Sequence, residues 1–290
     1  MSEMVYMYGF GFGGPPGRNV TVHVTYGGAT GSGANVSCTN GKKTFYGVTD
    51  TNGNFAFKLA KGRWTITANK SGSTSSVNVD ITGDRTVNIS LFSATIHVSC
   101  PSGLTCKATN GATTLTAPNT SGAWDFVVPN AGTWVIYLNN AKAASVAIAK
   151  NGEKKTVNKW YLYNNGVDNT YLTGGLTGSG YDNGSQWTFA DTYIGIFPNG
   201  FAAFFGTNKK INMKNVKSVS VKATLGQNPW NAYLRIRTSK TGGDQTYAAL
   251  KDSGELTASA DVTGVTTDSY VVIQDSTYVD IKVREIWIQC

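Results

Sequence analysis

Histidine is the side chain that most often activates a nucleophile in hydrolytic enzymes, and this sequence contains two, His23 and His97. Both fall at the same outward place in an internal repeat, as expected when a surface residue is duplicated. A glycosidase would instead need two carboxylates on either side of a cleft. The candidates lie in turn contexts and no pattern pairs them: Asp182, Asp191, Asp244 and Asp252. The sequence therefore predicts a protein that is not an enzyme.

Ligands for metals and phosphates are equally sparse. The four cysteines form no Cys-x-x-Cys pair, which excludes the usual zinc spacings. GFGFGG (residues 9–14) has the glycines of a phosphate-binding loop, but no strand precedes it and no helix follows. In YDNG (residues 181–184), Asp182 and Asn183 could face a calcium ion, and an Asn-Gly turn is the interpretation we favour. We predict no metal and no cofactor.

The segment CPSGLTC resembles a tight hairpin with Cys100 and Cys106 at its two ends, both of inward parity. Opposed residues on adjacent strands can satisfy disulfide geometry, with Cα atoms about 5.5 Å apart. Two buried free thiols are the alternative, because the other copy of the repeat has no such pair. Cys290 is interpreted as either free or paired between subunits.

Aromatic residues near the C-terminus carry the strongest binding signal. They stand beside Asn, Asp or Gly, a mixture that can stack on sugar rings and hydrogen-bond to sugar hydroxyls. For any single ring we favour core packing as the alternative, and as a set these residues are interpreted as loop aromatics. The predicted glycan-binding residues are Tyr181, Asp182, Trp187, Trp230 and Tyr247.

Composition favours an all-β fold. Charged residues make up 14% of the chain, against about 25% in typical domains, and short alternating segments lie between Asn-Gly, Ser-Gly and Gly-Gly turns. The net charge of +8 comes from residues 1–166, with 14 basic and 6 acidic residues. The lysines of this part are scattered, as expected at exposed strand edges, where their charge discourages pairing with another sheet. A nucleic-acid binder would cluster its basic residues, so we predict no nucleic-acid partner. No apolar stretch approaches the roughly 20 residues of a membrane span, and no membrane insertion is expected.

Residues 19–92 and 93–163 form two copies of one unit. VTVHV (residues 20–24) matches ATIHV (94–98), and GNFAFKLAKGRWTI (53–66) matches GAWDFVVPNAGTWVI (122–136). Shorter matches join TNG at 39–41 and 109–111, and TVN at 86–88 and 156–158. Alternation places Val20, Val22, Val24 and the row Phe55, Phe57, Leu59 inward. Each copy is predicted to be a small Ig-like sandwich, with domains at 19–92 and 93–166.

TDTNGNFAFKLAKGRWTI (residues 49–66) resembles the hallmark of carboxypeptidase-regulatory-like and related Ig-like domains, in which Thr-Asp precedes a Gly-x-Phe hairpin. The second copy departs from this pattern, with Pro118 and Asn119 in place of Thr49 and Asp50. The resemblance covers about the first half of the chain. It implies spacer or binding modules without chemistry of their own.

Residues 167–290 are predicted to form a jelly-roll-like sandwich. The strand candidates are residues 192–197, 201–206, 217–225, 231–238, 270–275 and 280–289. In the last of these the alternation slips near Arg284 and Glu285, which indicates a bulge. The fold class expected for the whole chain is therefore two tandem Ig-like β-sandwiches followed by a jelly-roll-like β-sandwich.

The ribbon MVYMYGFGFGGPPG (residues 4–17) precedes these domains. Glycines interrupt it too often for a secretory signal. A frayed terminus or an edge strand is one interpretation, and an arm that docks on another subunit is the other, which we favour. The predicted arm spans residues 1–18, with docking residues Val5, Tyr6, Met7, Tyr8, Phe10 and Phe12.

The order of arm, Ig-like units and terminal sandwich, with the segments YLYNNG (161–166) and VREIWI (283–288), resembles tail- or capsid-associated proteins of bacteriophages. That resemblance implies a homo-oligomeric virion protein, assembled in the host cytoplasm and extracellular after release. It would dock on other virion subunits and attach to a host-surface glycan, as a tail fibre or adhesin. The alternatives are a capsid decoration or head-fibre protein, and a bacterial surface adhesin.

Overall fold

The computed structural model of the 290-residue chain describes residues 17–180, 186–197, 203–226, 232–275 and 279–290. Almost every element is a β-strand, which confirms the predicted all-β class. The described residues divide into two compact units. The first contains residues 17–95, 127–131 and 148–153, and the second contains 96–126, 132–147 and the remainder from 154.

The first copy of the repeat folds as a two-sheet sandwich. Its strands are β1 (Arg18–Tyr26), β2 (Ala29–Thr30), β3 (Asn35–Thr39), β4 (Thr44–Val48), β5 (Asn54–Leu59), β6 (Gly62–Lys70), β7 (Ser73–Ile81) and β8 (Arg85–Leu91). One sheet is centred on β1. Strand β8 pairs with β1 in parallel on one side, and β5 and β2 pair with it in antiparallel fashion on the other. The other sheet has the order β4-β3-β6-β7.

Alternation along β1, β5 and β6 builds the core of this sandwich. Val20, Val22 and Val24 are fully buried, as are Leu59 and Ile66. This confirms the predicted inward rows, with Phe55 only partly buried at the margin. The indole of Trp64 is buried, and its Nε1 donates to the carbonyl of Ala60 at 3.0 Å, so its one polar atom is satisfied inside the core.

The Thr-Asp pair of the first copy fixes the turn that follows it. The buried hydroxyl of Thr49 donates to the carbonyl of Gly31 at 2.6 Å and accepts from the amide of Ala34 at 2.8 Å. Asp50 accepts from the amides of Asn52 and Asn54, which closes an Asx-type turn. Gly53 completes it at φ 77, where a Cβ atom would meet the carbonyl oxygen of Val24.

The second copy repeats this arrangement. Its strands are β9 (Ala94–Ser99), β10 (Cys106–Thr109), β11 (Thr114–Thr116), β12 (Ala123–Val128), β13 (Gly132–Leu138), β14 (Ala141–Ile148) and β15 (Lys154–Val157). The sheets have the orders β12-β9-β15 and β11-β10-β13-β14, the counterparts of β5-β1-β8 and β4-β3-β6-β7. Asn119, in place of Asp50, accepts from the amide of Ser121 and from the indole of Trp124. A polar residue therefore still organises the turn.

The expected hairpin at CPSGLTC is wrong. Strand β9 ends before Cys100 and β10 begins at Cys106, but these strands belong to different sheets of the sandwich. The five residues between the cysteines therefore carry the chain from one sheet to the other. A connection between layers looks like a hairpin in sequence because Pro and Gly are common in both.

The C-terminal sandwich has the strands β16 (Lys159–Asn164), β17 (Val167–Asp168), β18 (Leu176–Gly180), β19 (Gln186–Ala190), β20 (Tyr193–Phe197), β21 (Ala203–Thr207), β22 (Ser218–Leu225), β23 (Ala232–Arg237), β24 (Asp244–Leu250), β25 (Gly254–Asp261), β26 (Tyr270–Asp275) and β27 (Ile281–Gln289). One short helix, α1 (Thr170–Thr173), follows β17. A five-stranded sheet has the order β18-β21-β26-β23-β24. The facing sheet is centred on β27, which pairs with β16, β20 and β22, while β25 pairs with β22.

The predicted bulge in the last strand is confirmed. Lys222 pairs with Glu285 and Ala223 with Val283, so Arg284 has no opposite residue in β22. The same strand pairs with β16, whose residues lie before the predicted domain boundary at 166 and contribute to the C-terminal sheet. The three predicted domain boundaries themselves stay predictions.

Candidate functional site

Most of the predicted binding residues lie outside the described part of the chain. This applies to Tyr181, Asp182 and Trp230, and to all six predicted docking residues of the arm. Trp187 belongs to β19 and pairs with Ile196, and its side chain is outside the described part. Tyr247 is described and is 57% exposed. It lies in strand β24, so its placement in a loop was wrong.

Tyr247 is part of a cluster on the outer side of the five-stranded sheet. Along β23, Leu234 and Ile236 are fully buried between the sheets, so Tyr233 and Arg235 point to the opposite side. Arg235 pairs in register with Tyr247 of β24, and Tyr233 pairs with Gln274 of β26. We call this surface the Tyr/Arg face: Tyr233, Arg235, Arg237, Tyr247 and Gln274.

The exposed Tyr247 packs with the partly buried Tyr233 and Arg235 on this face. The rings of Tyr233 and Tyr247 meet edge to face, with centroids 5.5 Å apart and planes at 88°. The guanidinium carbon of Arg235 lies 4.3 Å from the centroid of Tyr233 and 5.5 Å from that of Tyr247. Cation–π contact of this kind contributes about 0.5–1 kcal/mol at exposed sites. The cluster therefore holds two rings and a cation in one arrangement.

A second arginine anchors the cluster from below. The side chain of Arg237 is 7% exposed. Its Nε donates to Asp244 at 2.5 Å and its Nη2 donates to Gln274 at 2.8 Å. Its guanidinium carbon lies 5.4 Å from the ring centroid of Phe204, a buried residue that pairs in register with Gln274. Because the planar guanidinium group of Arg237 is paired on several sides, it has little freedom to rearrange.

Asp244 joins the two arginines, because Arg235 also forms an ion pair with this carboxylate. The position follows from a register shift between Ile236 and Arg237, which brings Asp244 opposite Arg237. One carboxylate is therefore shared by two guanidinium groups. Charge-assisted bonds of this type are shorter and stronger than neutral ones, so the side chains are held in place before any ligand arrives.

The Tyr/Arg face can recognise a ring that carries hydroxyl groups. Tyr247 offers an exposed aromatic surface, Arg235 offers N–H donors, and Asp244 and Gln274 offer oxygen acceptors. Few, fixed polar groups beside aromatic surface are typical of small-molecule and sugar sites.

The opposite sheet carries a second aromatic cluster. The ammonium of Lys159 lies 4.1 Å from the ring centroid of Trp287 and 4.6 Å from that of Tyr161. Nearby, Lys222 pairs with Glu255 at 3.0 Å, with both side chains substantially exposed. We call this surface the Lys/Trp face. Within the described ranges no carboxylate pairs with Lys159, so its position depends on the rings alone.

The remaining candidates have structural roles. His23 shares a 2.8 Å hydrogen bond with Asn54, and His97 shares one of 2.7 Å with Asp125, at matching places in the two copies. This agrees with the duplicated surface pair inferred from the sequence. The described residues contain no cluster of three or more His, Cys, Asp or Glu side chains suited to a metal ion.

All four cysteines are buried free thiols. Burial raises the pKa of Cys38, Cys106 and Cys290 to about 12 in each case. The pKa of Cys100 is raised by burial and further by the neighbouring Cys106 and Cys290. Thiolates are the reactive form, so these side chains behave as small apolar groups at neutral pH.

Tyr233, Arg235, Arg237 and Gln274 were missed as site residues. A signal was present in the strand candidate at 231–238, where Tyr and Arg alternate with Leu and Ile. That alternation predicts one polar, aromatic side to the strand. The predicted glycan-binding aromatics were instead those that stand beside turn residues, so this strand was not included.

No protein-family model and no curated protein matched the sequence. Among solved structures, a variant of the carbohydrate-binding module CBM29-2 matches with 13% identity, a TM-score of 0.35 and coverage of 46% of this chain and 92% of the module. A family 29 module from Piromyces equi matches with 15% identity, a TM-score of 0.31 and coverage of 45% and 88%. A DUF3823 family protein from Parabacteroides merdae matches with 12% identity, a TM-score of 0.23 and coverage of 94% and 99%.

None of the helices in the described ranges is long and apolar enough to span a membrane.

Proposed function

We propose that the protein is a non-enzymatic glycan-binding protein and that it binds sugar on the Tyr/Arg face. The observation that carries the proposal is the exposed Tyr247 ring beside Tyr233 and Arg235, with Asp244 and the buried Arg237 fixing their positions. A preorganised face loses little conformational entropy on binding, so a shallow surface can still reach useful affinity.

Binding of the full chain to a panel of neutral, carboxylated and sulfated polysaccharides tests this proposal. Tyr247→Ala should weaken binding by about tenfold or more, as expected for an aromatic residue at the centre of a contact. The matched control is Tyr161→Ala on the Lys/Trp face, which should bind like the wild type. Equal binding by the Tyr247→Ala and wild-type proteins, or an equal loss in both variants, would contradict the proposed site.

The larger role is proposed from the sequence resemblance: a phage virion protein, most simply a tail fibre or adhesin, and alternatively a capsid decoration or head-fibre protein or a bacterial surface adhesin. Deleting residues 1–16 tests the docking arm and leaves β1 intact, because that strand begins at Arg18. The truncated chain should fold and fail to join particles. Incorporation at the wild-type level would contradict docking by the arm. Light scattering on the full chain tests the expected homo-oligomer.

A further inference from the structure

Beyond the Tyr/Arg face, the same sheet surface carries a cluster of positive charge around Tyr270. Tyr270 is the first residue of β26 and pairs in register with Arg237. The ammonium groups of Lys210 and Lys240 lie 5.8 Å and 5.9 Å from its ring centroid. We infer that this surface selects acidic glycans, with Lys210 and Lys240 contacting a carboxylate or sulfate group of the sugar. This inference rests on the proposed function of the Tyr/Arg face.

The two lysines reach Tyr270 from different parts of the chain. Lys210 precedes Ile211, which forms an isolated bridge with Ser269 and so brings Lys210 opposite Tyr270. Lys240 lies in the turn between β23 and β24, where the carbonyl of Lys240 accepts from buried Arg237 at 3.5 Å. The anchor of the Tyr/Arg face therefore also positions one of the lysines.

Lys240 is held in place at its charged end as well. Its Nζ donates to Asn208 Oδ1 at 2.7 Å, and the same oxygen accepts from Thr177 Oγ1 at 2.6 Å. One N–H of the ammonium is used in this contact, which leaves two donors. A fixed ammonium with free donors suits an anionic oxygen better than a mobile surface lysine does.

The charge balance of this surface is strongly positive. It contains the cations Arg235, Arg237, Lys210 and Lys240, and Asp244 is the carboxylate that pairs with the two arginines. In the part of the chain that the structure describes, neither lysine forms an ion pair. Asp268, which stands two residues before Tyr270 in the sequence, pairs with neither of them. Unpaired positive charge beside a sugar platform attracts an anionic ligand.

The rings and the lysines are close enough to contact one oligosaccharide. Arg235 pairs with Tyr247, and Arg237, two residues further along β23, pairs with Tyr270. Two residues of a strand span about 7 Å, and the strands on either side of β23 lie about 10 Å apart, so Tyr247 and Tyr270 are separated by about 12 Å. An oligosaccharide that extends diagonally across β23 from Tyr247 would therefore reach the lysines.

The experiment uses the full chain with dextran, carboxymethyl-dextran and dextran sulfate, which share one neutral backbone. We expect tighter binding to at least one acidic form than to dextran, with an affinity that falls as salt rises. The double variant Lys210→Gln/Lys240→Gln should lower acidic binding by about tenfold and leave dextran binding unchanged. The acidic polymer whose affinity falls in the double variant shows whether carboxylate or sulfate is the preferred group.

A matched variant separates specific from general attraction, because the whole chain carries a net charge of +8. Lys42→Gln/Lys43→Gln removes the same charge from an exposed turn of the first sandwich, and should change acidic binding by less than about twofold. Equal losses in the two double variants, or no loss in Lys210→Gln/Lys240→Gln, would overturn the inference. Failure of the proposed function is distinct, because then Tyr247→Ala would leave binding to all three polymers unchanged.

Discussion

The two outer surfaces of the C-terminal sandwich use similar side chains in different ways. On the Tyr/Arg face, the cation between the rings is Arg235, which is fixed by Asp244 and supported by the 7% exposed Arg237. On the Lys/Trp face, Lys159 lies over two rings but has only those rings to hold it. Aromatic and basic composition alone would rank the two surfaces equally. The ion pairs and hydrogen bonds of Asp244, Arg237 and Gln274 are what distinguish the fixed Tyr/Arg face from the more adaptable Lys/Trp face.

The largest expected effect comes from removing the buried anchor. Arg237→Ala should lower the free energy of unfolding of the C-terminal unit by about 3 kcal/mol, because Asp244 and Gln274 lose a buried charged partner. Urea denaturation followed by tryptophan fluorescence measures the change. Lys222→Ala on the Lys/Trp face is the control and should cost under about 1 kcal/mol. Similar losses in both variants would remove the distinction between the faces.

Removing the shared carboxylate should have the next largest effect. Asp244→Asn leaves the two guanidinium groups without their common counter-ion and should cost about 2 kcal/mol, less than a fully buried pair because Asp244 is 34% exposed. Glu255→Gln breaks the exposed pair with Lys222 and should cost about 0.5 kcal/mol or less. Thermal unfolding of the two variants in the same buffer compares them directly. A larger loss of stability in Glu255→Gln than in Asp244→Asn would contradict the assignment of the Tyr/Arg face as the fixed surface.

A smaller difference is expected between the ring pairs. A double-mutant cycle on Tyr233 and Tyr247 should give a coupling of about 1 kcal/mol, since their centroids lie 5.5 Å apart in an edge-to-face contact. The pair Tyr161 and Trp287, at 6.3 Å with a tilt of 56°, should couple by about half as much. Equal coupling energies would show that the different ring geometries of the two faces do not change the strength of the ring contact.

The smallest effect is expected at Lys159. Lys159→Gln removes an exposed cation–π contact and should change the free energy of unfolding by about 0.5 kcal/mol. The same substitution should leave glycan binding unchanged when measured beside Tyr247→Ala. A loss of binding in Lys159→Gln would make the Lys/Trp face a second binding surface.

Local patterns in the sequence were sufficient for much of the fold. The inward rows of β1 and the bulge at Arg284 depend on alternation within a few residues, the repeat depends on direct matches between short segments, and each was predicted. The strand that carries Tyr247 was missed because its segment DQTYAAL is polar and lies at a sheet edge. Edge strands face solvent on more sides and show weaker alternation.

The candidate site depends on pairings that no local pattern contains. Gln274 meets Tyr233 only because β26 returns beside β23, and Asp244 reaches Arg237 through a register shift in the hairpin. The choice of which residues oppose each other is a property of the whole sheet. Sequence reasoning therefore found one exposed ring, Tyr247, and missed the network that holds it.

The parallel pairing of β1 and β8 determines how the first sandwich would respond to a pulling force. Seven residue pairs, from Val20 with Arg85 to Tyr26 with Leu91, join the first and last strands of this copy. Because the strands are parallel, the chain enters at one end of the pair and leaves at the other. Tension between the two ends would therefore slide the strands past each other and strain the whole ladder together instead of opening it one bond at a time. The first sandwich would therefore act as a shear-resistant link between the segments attached at its two ends.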